Sequence, residues 1–401
     1  MKNNFSVYLD NAATTCVDKE VFKKMKPFFS EKYANPSGPY WHSQVARGVI
    51  DKAREQVSKA LNASSGKIVF TSCATESINL SHKGLIEALS KKGDQKPHIV
   101  VSSIEHSAVL ETCRHLEKLC LVEVSYLPVD KTGLVLISDL EKNIRPNTAL
   151  VSIMYVNNEV GTIEPISEIG KFLKKINKKR ELEKKQKIFF HTDATQAIQY
   201  LNIDVNFLGV DFLSFTGHKF YAPKGIGALF VKKDTPLSSQ IRGGSQEYGL
   251  RAGTENVAFI VGLAEAITLV CSQKKSQAER IKKLSQKFIK EALKIKGLNL
   301  TGDKIKRVPH IASFLVDGAE GEAMILLLSD AGISASSGSA CTSGSLKPSH
   351  VLLAMGVPQE KAHGSLRFSL GKDTTEEQIN YTLKVLPEII SKVRALAPKG
   401  I

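Results

Sequence analysis

The sequence predicts an α/β protein with a mainly parallel central sheet covered by helices, and three observations lead to this fold class. Short apolar runs rich in Val, Ile and Phe alternate with longer helical patterns from about residue 65 to residue 232. Several of these runs are continuously apolar, which is typical of parallel strands buried on both faces. A further set of strand and helix patterns follows the alternating region and predicts a second, smaller α+β domain.

Seven segments are predicted as strands of the large sheet, and helical stretches such as ESINLSHKGLIEALSKKG separate most of them. In chain order the strands are KIVFTS, HIVVSS, LVEVSYL, ALVSIMYV, KIFFHTD, FLSFTG and GALFVKK. After residue 254 a long apolar helix leads into a separate basic helix, and VPHIASFLV and ISASSG supply the next strands. We therefore expect a large domain over residues 16–265 and a small domain formed by residues 1–15 and 266–401.

Composition and charge exclude several classes of protein. Hydrophobic residues make up 42% of the 401 residues, and no apolar run reaches the roughly 18 residues that span a bilayer. Six cysteines without a C-x-x-C pair do not make a disulfide scaffold or a metal site, so we expect free thiols and a cytoplasmic location. Much of the net charge of +15 lies in lysine-rich helical stretches that lack interleaved aromatic residues. Specific nucleic-acid binding is not expected, while an acidic protein partner stays open.

Polar side chains follow the predicted strands at the point where each strand ends, and ligands of open parallel sheets bind at that edge. The residues concerned are Thr75, His106, Asn157, Asp193 with Gln196, and the run Thr216-Gly217-His218-Lys219. Lys219 follows Asp193 by 26 residues. Schiff-base chemistry needs such a lysine amine, and a pyridinium nitrogen needs such a carboxylate. Thr75 at a helix start, with Thr216 and His218, would hold a phosphate.

A second group of residues surrounds Cys341 in ISASSGSACTSGSLKPSH, residues 333–350. Small and hydroxyl-bearing residues dominate this segment, so it is expected to pack poorly and to form a mobile loop with an accessible thiol. Further on, Arg367 in SLRFSLG would clamp a substrate carboxylate through two parallel hydrogen bonds. A structural ion pair is the alternative for this arginine.

Together these residues resemble the cysteine desulfurases of the NifS/IscS-like type, which belong to the class-V aminotransferase family. The matching motifs include YLDNAATT, NPSG, TSCATES, EHSAV, MYVNNEVG, HTDATQA, SFTGHKFYAPKGIGALFV, RAGTEN, SSGSACTSGSLKPS and LRFSLG, and they run from residue 8 to residue 371. The resemblance implies the aspartate-aminotransferase-like fold, fold type I of the pyridoxal-phosphate enzymes, and a homodimer. Departures from the family pattern occur at Cys73, Tyr248 and the shifted His42.

The resemblance also implies roles for individual residues. Lys219 would hold pyridoxal 5'-phosphate, Asp193 would pair with its pyridine nitrogen, and His106 would stack on its ring and assist proton transfer. Gln196 would bond the ring oxygen, and Asn157 would lie beside the cofactor or the substrate. The phosphate would be surrounded by Ala74, Thr75, Thr216, Gly217 and His218, joined by Thr254 from the other subunit.

The implied reaction takes sulfur from L-cysteine, whose carboxylate would bind Arg367, and releases L-alanine. Cys341 would receive the sulfur as a persulfide and pass it to an iron–sulfur scaffold or another acceptor protein. A selenocysteine lyase or aminotransferase stays open as an alternative at this stage, as does a non-catalytic platform for partner proteins.

Overall fold

The computed structural model describes residues 6–90, 96–338 and 347–396, and strands and helices alternate along most of this length. The strands are β1 Val7–Tyr8, β2 Gly66–Thr71, β3 His98–Ser102, β4 Glu123–Leu127, β5 Thr148–Ser152, β6 Phe189–Asp193, β7 Phe212–Thr216, β8 Gly227–Lys232, β9 Leu298–Leu300, β10 Ile311–Val316, β11 Ile333–Ser334 and β12 Ser365–Ser369. The helices are α1 Lys19–Met25, α2 Pro27–Ser30, α3 Trp41–Ala60, α4 Ala74–Ser90, α5 Ser107–Lys118, α6 Ile137–Asn143, α7 Ile166–Leu182, α8 Val205–Leu208, α9 Val257–Ala292, α10 Gly321–Asp330, α11 His350–Ala354, α12 Gln359–Ala362 and α13 Glu376–Leu396.

The large sheet contains all seven strands that the apolar runs predict. Its strand order is β2-β8-β7-β6-β5-β3-β4, and every neighbouring pair is parallel except the two that involve β8. Only residues 217–226 connect β7 to β8. This connection is shorter than the dozen or so residues that a parallel crossover needs, so β8 returns antiparallel to β7. The predicted α/β fold with a mainly parallel sheet is confirmed.

Helices cover both faces of the large sheet, as its doubly buried strands require. On one face, Ile78 and Leu85 of α4 and Val109 of α5 pack against the sheet. On the other face, α3, α7 and α9 contribute to a larger apolar core that continues into the small sheet. Because both faces are covered, the open edge at the carboxyl ends of the strands is the place left for a ligand.

Helix α9 is one continuous helix of 36 residues. The prediction of two successive helices in this region is wrong, because no Gly or Pro stands between Gly262 and Gly297 to end the first one. Among the described residues, α9 is the one helix long and apolar enough to cross a membrane by length and composition. Half of its apolar window is buried, and it packs against α1 and α3 like a core helix. The predicted domain boundary near residue 265 falls inside α9.

A small antiparallel sheet follows α9, with the strand order β12-β10-β9. The N-terminal segment joins this region, because β1 pairs with β11 and Asp10 forms an isolated bridge with Ser369 at the end of β12. These pairings bring the YLDNAATT segment between the large sheet and β12. Residues of both sheets and of the N-terminus can therefore meet at one cavity.

Candidate active site

A cavity of about 440 Å³ lies where β6 and β7 end, and most of the predicted site residues line it. The predicted residues in its wall are Ala74, Thr75, His106, Asp193, Gln196, Thr216, His218, Lys219 and Arg367. Asp10, Cys73, Asn158 and Ser336 also line the cavity, and the sequence had given none of these four a role in catalysis or binding. The structure thus brings together groups that are up to 357 residues apart in the chain.

Lys219 lies in the short turn of 3-10 helix Gly217–Lys219 that follows β7. Its Nζ atom donates to the backbone oxygens of Ala12 and Ala13, at 2.8 and 2.7 Å. The turn requires glycine at position 217, since a Cβ atom there would lie 2.8 Å from Cβ of Ala222. The YLDNAATT segment therefore holds a lysine amine inside the cavity.

The beginning of α4 opens onto the same cavity at Ala74 and Thr75. The first N–H groups of a helix have no partner within the helix and favour an anion. His218 lies opposite, and burial together with the charges of Lys219 and Lys224 lowers its pKa to about 4. At neutral pH this imidazole is therefore an uncharged hydrogen-bonding group beside the anion site.

Two of the predicted phosphate ligands use their donors within the protein. The hydroxyl of Thr216 donates to the backbone oxygen of Ile226 at 3.1 Å, and the amide of Gly217 donates to the same oxygen at 3.0 Å. Thr216 lines the cavity, while Gly217 is buried below it. The start of α4 is consequently the part of this wall where backbone N–H groups have no partner within their helix.

Asp193 is the last residue of β6, and its side chain lies 5% exposed in the cavity wall. One carboxylate oxygen accepts from the amide of Thr195 at 2.9 Å. A largely buried carboxylate at this position can hold a proton on a ring nitrogen.

His106 caps the start of α5, where its Nδ1 atom accepts from the amide of Ala108 at 3.1 Å. The proton of the neutral ring is therefore on Nε2. Burial lowers the pKa of His106; the charge of Asp193 opposes this effect, and Lys219 and His350 add to it. A neutral imidazole with a defined tautomer suits both stacking on a ring and proton transfer.

Asn157 and Asn158 lie in the same turn after β5 but have different surroundings. Asn157 is fully buried, and its Oδ1 atom accepts from the amides of Glu159 and Val160, at 2.9 and 3.0 Å. Its Nδ2 atom donates to the backbone oxygen of Ile104 at 3.0 Å. Asn157 holds this turn together, and its neighbour Asn158 is the residue in the cavity wall.

Arg367 lies on β12, and its guanidinium bonds both the N-terminal segment and the turn after β5. It donates through Nη2 to Oδ1 of Asp10 and through Nη1 to the backbone oxygen of Asn158, both at 2.8 Å. The sequence left a carboxylate clamp and a structural ion pair as alternatives for this arginine. In the structure it forms the ion pair and lines the cavity, so it is placed to receive a second carboxylate.

Two buried glutamates, Glu105 and Glu159, are chain neighbours of His106 and Asn158, and the sequence patterns assign no role to either. Burial raises the pKa of Glu159 to about 7, although a hydrogen bond from Ser349 and the charge of Arg367 oppose this shift. Burial also raises the pKa of Glu105 well above its usual value, against a hydrogen bond from the amide of Met154. The hydrogen bonds that oppose both pKa shifts come from residues distant in the chain.

Two predicted residues lie elsewhere. Thr254 is exposed, on the segment before α9. Cys341 lies outside the described residues. The remaining set fits pyridoxal phosphate: a lysine amine, a carboxylate, a neutral imidazole and a helix start surround one cavity.

Comparison with known proteins gives a consistent result. The family model described as aminotransferase class-V matches residues 7–382. The chain is 48% identical over 393 residues to a cysteine desulfurase IscS of Dictyoglomus turgidum, covering 98% of this chain and 96% of that protein. It is 42% identical over 400 residues to a mitochondrial cysteine desulfurase of Arthroderma benhamiae, covering 99% and 77%. A solved structure of a NifS-like protein superposes with a TM-score of 0.88 at 39% identity, covering 97% of this chain and all of that one.

Proposed function

The chain belongs to the class-V aminotransferase family as a pyridoxal-phosphate-dependent cysteine desulfurase, and we propose how its residues share the reaction. The observation that supports the proposal is the shared cavity, in whose wall lie Lys219, Asp193 and the start of α4. Bound pyridoxal phosphate would supply an aldehyde for amines and a ring that delocalises charge from the substrate α-carbon. The protein supplies binding, orientation and proton transfer.

Several parts of the wall would share binding of the cofactor. The amine of Lys219 would hold the aldehyde carbon, and the first amides of α4 with the hydroxyl of Thr75 would hold the phosphate. Asp193 would keep the ring nitrogen protonated, and His106 would stack on the ring. Gln196, whose Nε2 atom donates to the backbone oxygen of Ala12 at 2.9 Å, bonds the ring oxygen.

Substrate L-cysteine binds with its carboxylate on Arg367, which Asp10 and the Asn158 carbonyl hold in place. The amine of Lys219 would remove the α-proton of the substrate. The thiolate of Cys341 would then form a bond to the substrate sulfur while the substrate Cβ–S bond breaks and its electron pair stays on the substrate carbon. Protons return to Cβ and Cα, L-alanine leaves and a persulfide stays on Cys341. Because a free thiol has a pKa of about 8.5, a base or the positive charge of the site would help to ionise Cys341, and His106 is our candidate base. In that role His106 would accept the proton on Nδ1 and give up its hydrogen bond from the Ala108 amide.

Sulfur then passes to acceptor proteins, and we propose an iron–sulfur scaffold as one of them. We place the enzyme in the cytoplasm, because the five cysteines among the described residues are free thiols, as in reducing compartments. We also keep the division into a large domain over residues 16–265 and a small domain formed by residues 1–15 and 266–401.

A homodimer with shared sites is the assembly we propose. Tyr33, Tyr40 and Trp41 are 74%, 56% and 69% exposed, and an exposed group of large aromatic side chains is typical of a protein interface. Phe29 beside them contacts Phe259 near the start of α9, at 6.2 Å between ring centroids. This surface therefore continues towards Thr254, the residue we assign to the phosphate of the neighbouring subunit. A protein that light scattering shows to be a monomer and that keeps full activity would contradict the shared site.

The test of the proposed function measures cofactor binding and the two products of the reaction. Purified protein loaded with pyridoxal phosphate should show visible absorbance and should convert L-cysteine to equal amounts of L-alanine and transferable sulfur. A protein that binds the cofactor but forms no alanine from L-cysteine would contradict the proposal.

A further inference from the structure

His310 precedes β10 of the small sheet and lies against Gln196 in the cavity wall. Its Nε2 atom is 3.3 Å from Oε1 of Gln196. The ring is 2% exposed and stacks on Tyr200, with 4.5 Å between centroids and 22° between planes. No sequence pattern assigns a role to His310, because this contact joins residues that are 114 positions apart.

The protonation state of His310 follows from its surroundings. A side-chain amide oxygen is only an acceptor, so Nε2 of His310 must carry the proton. Burial and the charge of Arg367 lower the pKa of His310 to about 3, which keeps the ring neutral over the working range of pH. Nδ1 is buried and has no hydrogen-bond partner among the described residues. The ring therefore presents one fixed donor to Gln196.

The Ala12 oxygen and His310 together decide which end of the Gln196 amide faces the cavity. Oε1 faces His310, and one hydrogen of Nε2 is used by the backbone oxygen of Ala12. The second hydrogen of Nε2 is left to point into the cavity. A flipped amide would place Oε1 against the Ala12 oxygen, which is repulsive, and would force the His310 proton onto the buried Nδ1, which has no acceptor among the described residues.

We propose that His310 is a positioning residue that fixes the amide of Gln196 as a hydrogen-bond donor to the cofactor ring oxygen. The inference rests on the proposed placement of Gln196 beside the ring. The effect on the reaction is indirect, since His310 itself lies behind Gln196. A hydrogen bond to the ring oxygen favours its ionised form, so losing the fixed donor should change the colour of the bound cofactor and its dependence on pH.

Two substitutions separate this role from simple packing. His310→Phe keeps an aromatic ring that can stack on Tyr200 but removes the donor. His310→Gln removes the ring but places an amide nitrogen where Nε2 lies. If His310 acts as a donor, His310→Phe should change the absorbance and the Kd of the cofactor, and His310→Gln should keep both near wild type. If His310 acts through packing, His310→Gln should change them and His310→Phe should not.

The measurements are the absorbance of the bound cofactor against pH and the Kd for pyridoxal phosphate. His310→Phe should shift the pH midpoint and raise Kd about three- to tenfold, the loss expected for one uncharged hydrogen bond. Gln196→Leu should show a similar or larger effect, and adding His310→Phe to it should cause little further change. Should His310→Phe fail to fold, His310→Asn serves instead, because the shorter amide does not reach Gln196.

The outcomes distinguish this inference from the proposed function. A cofactor spectrum and Kd equal to wild type in His310→Phe would overturn the positioning role while leaving Gln196 at the ring. Equal changes of both quantities in His310→Phe and His310→Gln would do the same. An unaltered spectrum and Kd in Gln196→Leu would overturn the placement of Gln196 itself, and the role of His310 with it.

Discussion

Arg367 and Asp10 form an ion pair of 2.8 Å that joins β12 of the small sheet to the N-terminal segment below Lys219. The side chain of Arg367 is 6% exposed and that of Asp10 is 20% exposed, so water screens the pair only weakly. The same N-terminal segment provides the two carbonyl oxygens that hold the amine of Lys219. The N-terminal segment therefore holds both the guanidinium of Arg367 and the amine of Lys219 in place.

Arg367→Lys should raise the KM for L-cysteine about ten- to hundredfold and change kcat much less. Lysine keeps the positive charge but lacks the planar fork that can bond Asp10, the Asn158 oxygen and a substrate carboxylate together. Losing one hydrogen bond to a charged group costs about 1.5–3 kcal/mol, which gives this range. Steady-state kinetics with L-cysteine measures the effect. Arg394→Lys on α13 is the matched control, and a KM within twofold of wild type for Arg367→Lys would exclude a carboxylate clamp.

Lys219→Ala should abolish alanine formation while the protein remains folded. The Nζ atom is the amine available at the cavity wall next to Asp193, and its removal leaves the phosphate site at the start of α4 intact. The variant should therefore still bind pyridoxal phosphate, with an altered absorbance spectrum. Lys224→Ala is the matched control, because Lys224 lies five residues later and is exposed. Alanine formation near the wild-type rate by Lys219→Ala would remove the basis of the proposed function.

Glu159→Gln should become more stable relative to wild type as pH rises from 5 to 8. The pKa of Glu159 is raised to about 7 in the folded protein, whereas an unfolded glutamate titrates near its ordinary value of 4.5. The stability that the protonated carboxyl contributes is fully present below the unfolded pKa and is lost as pH rises through the folded one. Glutamine does not titrate, so the difference between the two proteins should grow by roughly 1–3 kcal/mol over this range.

Urea unfolding at several pH values, at one protein concentration, measures this difference. Glu360→Gln, an exposed residue of α12, is the control and should track wild type at every pH. A constant difference between Glu159→Gln and wild type from pH 5 to pH 8 would mean that Glu159 is ionised in the folded protein throughout.

The sequence was a good guide to the large sheet and to the residues at its strand ends. Apolar runs predict its seven strands because the central ones are buried on both faces, and Asp193, Thr216 and Lys219 follow directly from where β6 and β7 end. The antiparallel direction of β8 could also have been predicted, because the connection after β7 is too short for a crossover.

Local sequence patterns could not predict the contacts between segments that are distant in the chain. Strand β12, which carries Arg367, was not predicted, because its pairing with β10 depends on residues more than fifty positions away. The same holds for the Asp10 partner of Arg367 and for the contact of His310 with Gln196. The choice between Asn157 and Asn158 for the cavity wall depends on the direction of each side chain in a turn, which motif spacing does not fix.

Cys341→Ala should stop sulfur transfer with little effect on stability. The sequence around Cys341 consists of small and hydroxyl-bearing residues, so the free energy of unfolding should stay within about 0.5 kcal/mol of wild type. Lys219, Asp193 and Arg367 remain, so the variant should bind cofactor and substrate and show the spectral change that L-cysteine causes. The reaction should then stall before the Cβ–S bond breaks, since the proposed nucleophile for the substrate sulfur is missing.

Intact-mass analysis after a pulse of L-cysteine locates the sulfur that the wild-type enzyme accepts. One added sulfur should map to Cys341, and it should be absent from Cys341→Ala. Cys16→Ala, at an exposed position, should keep both the adduct and turnover, and Cys73→Ala tests the thiol that lines the cavity among the described residues. Because each transfer consumes one thiolate and leaves one persulfide, alanine formed in a single turnover should equal the sulfur found on the protein. Sulfur on a different cysteine, or full turnover by Cys341→Ala, would assign the nucleophile elsewhere.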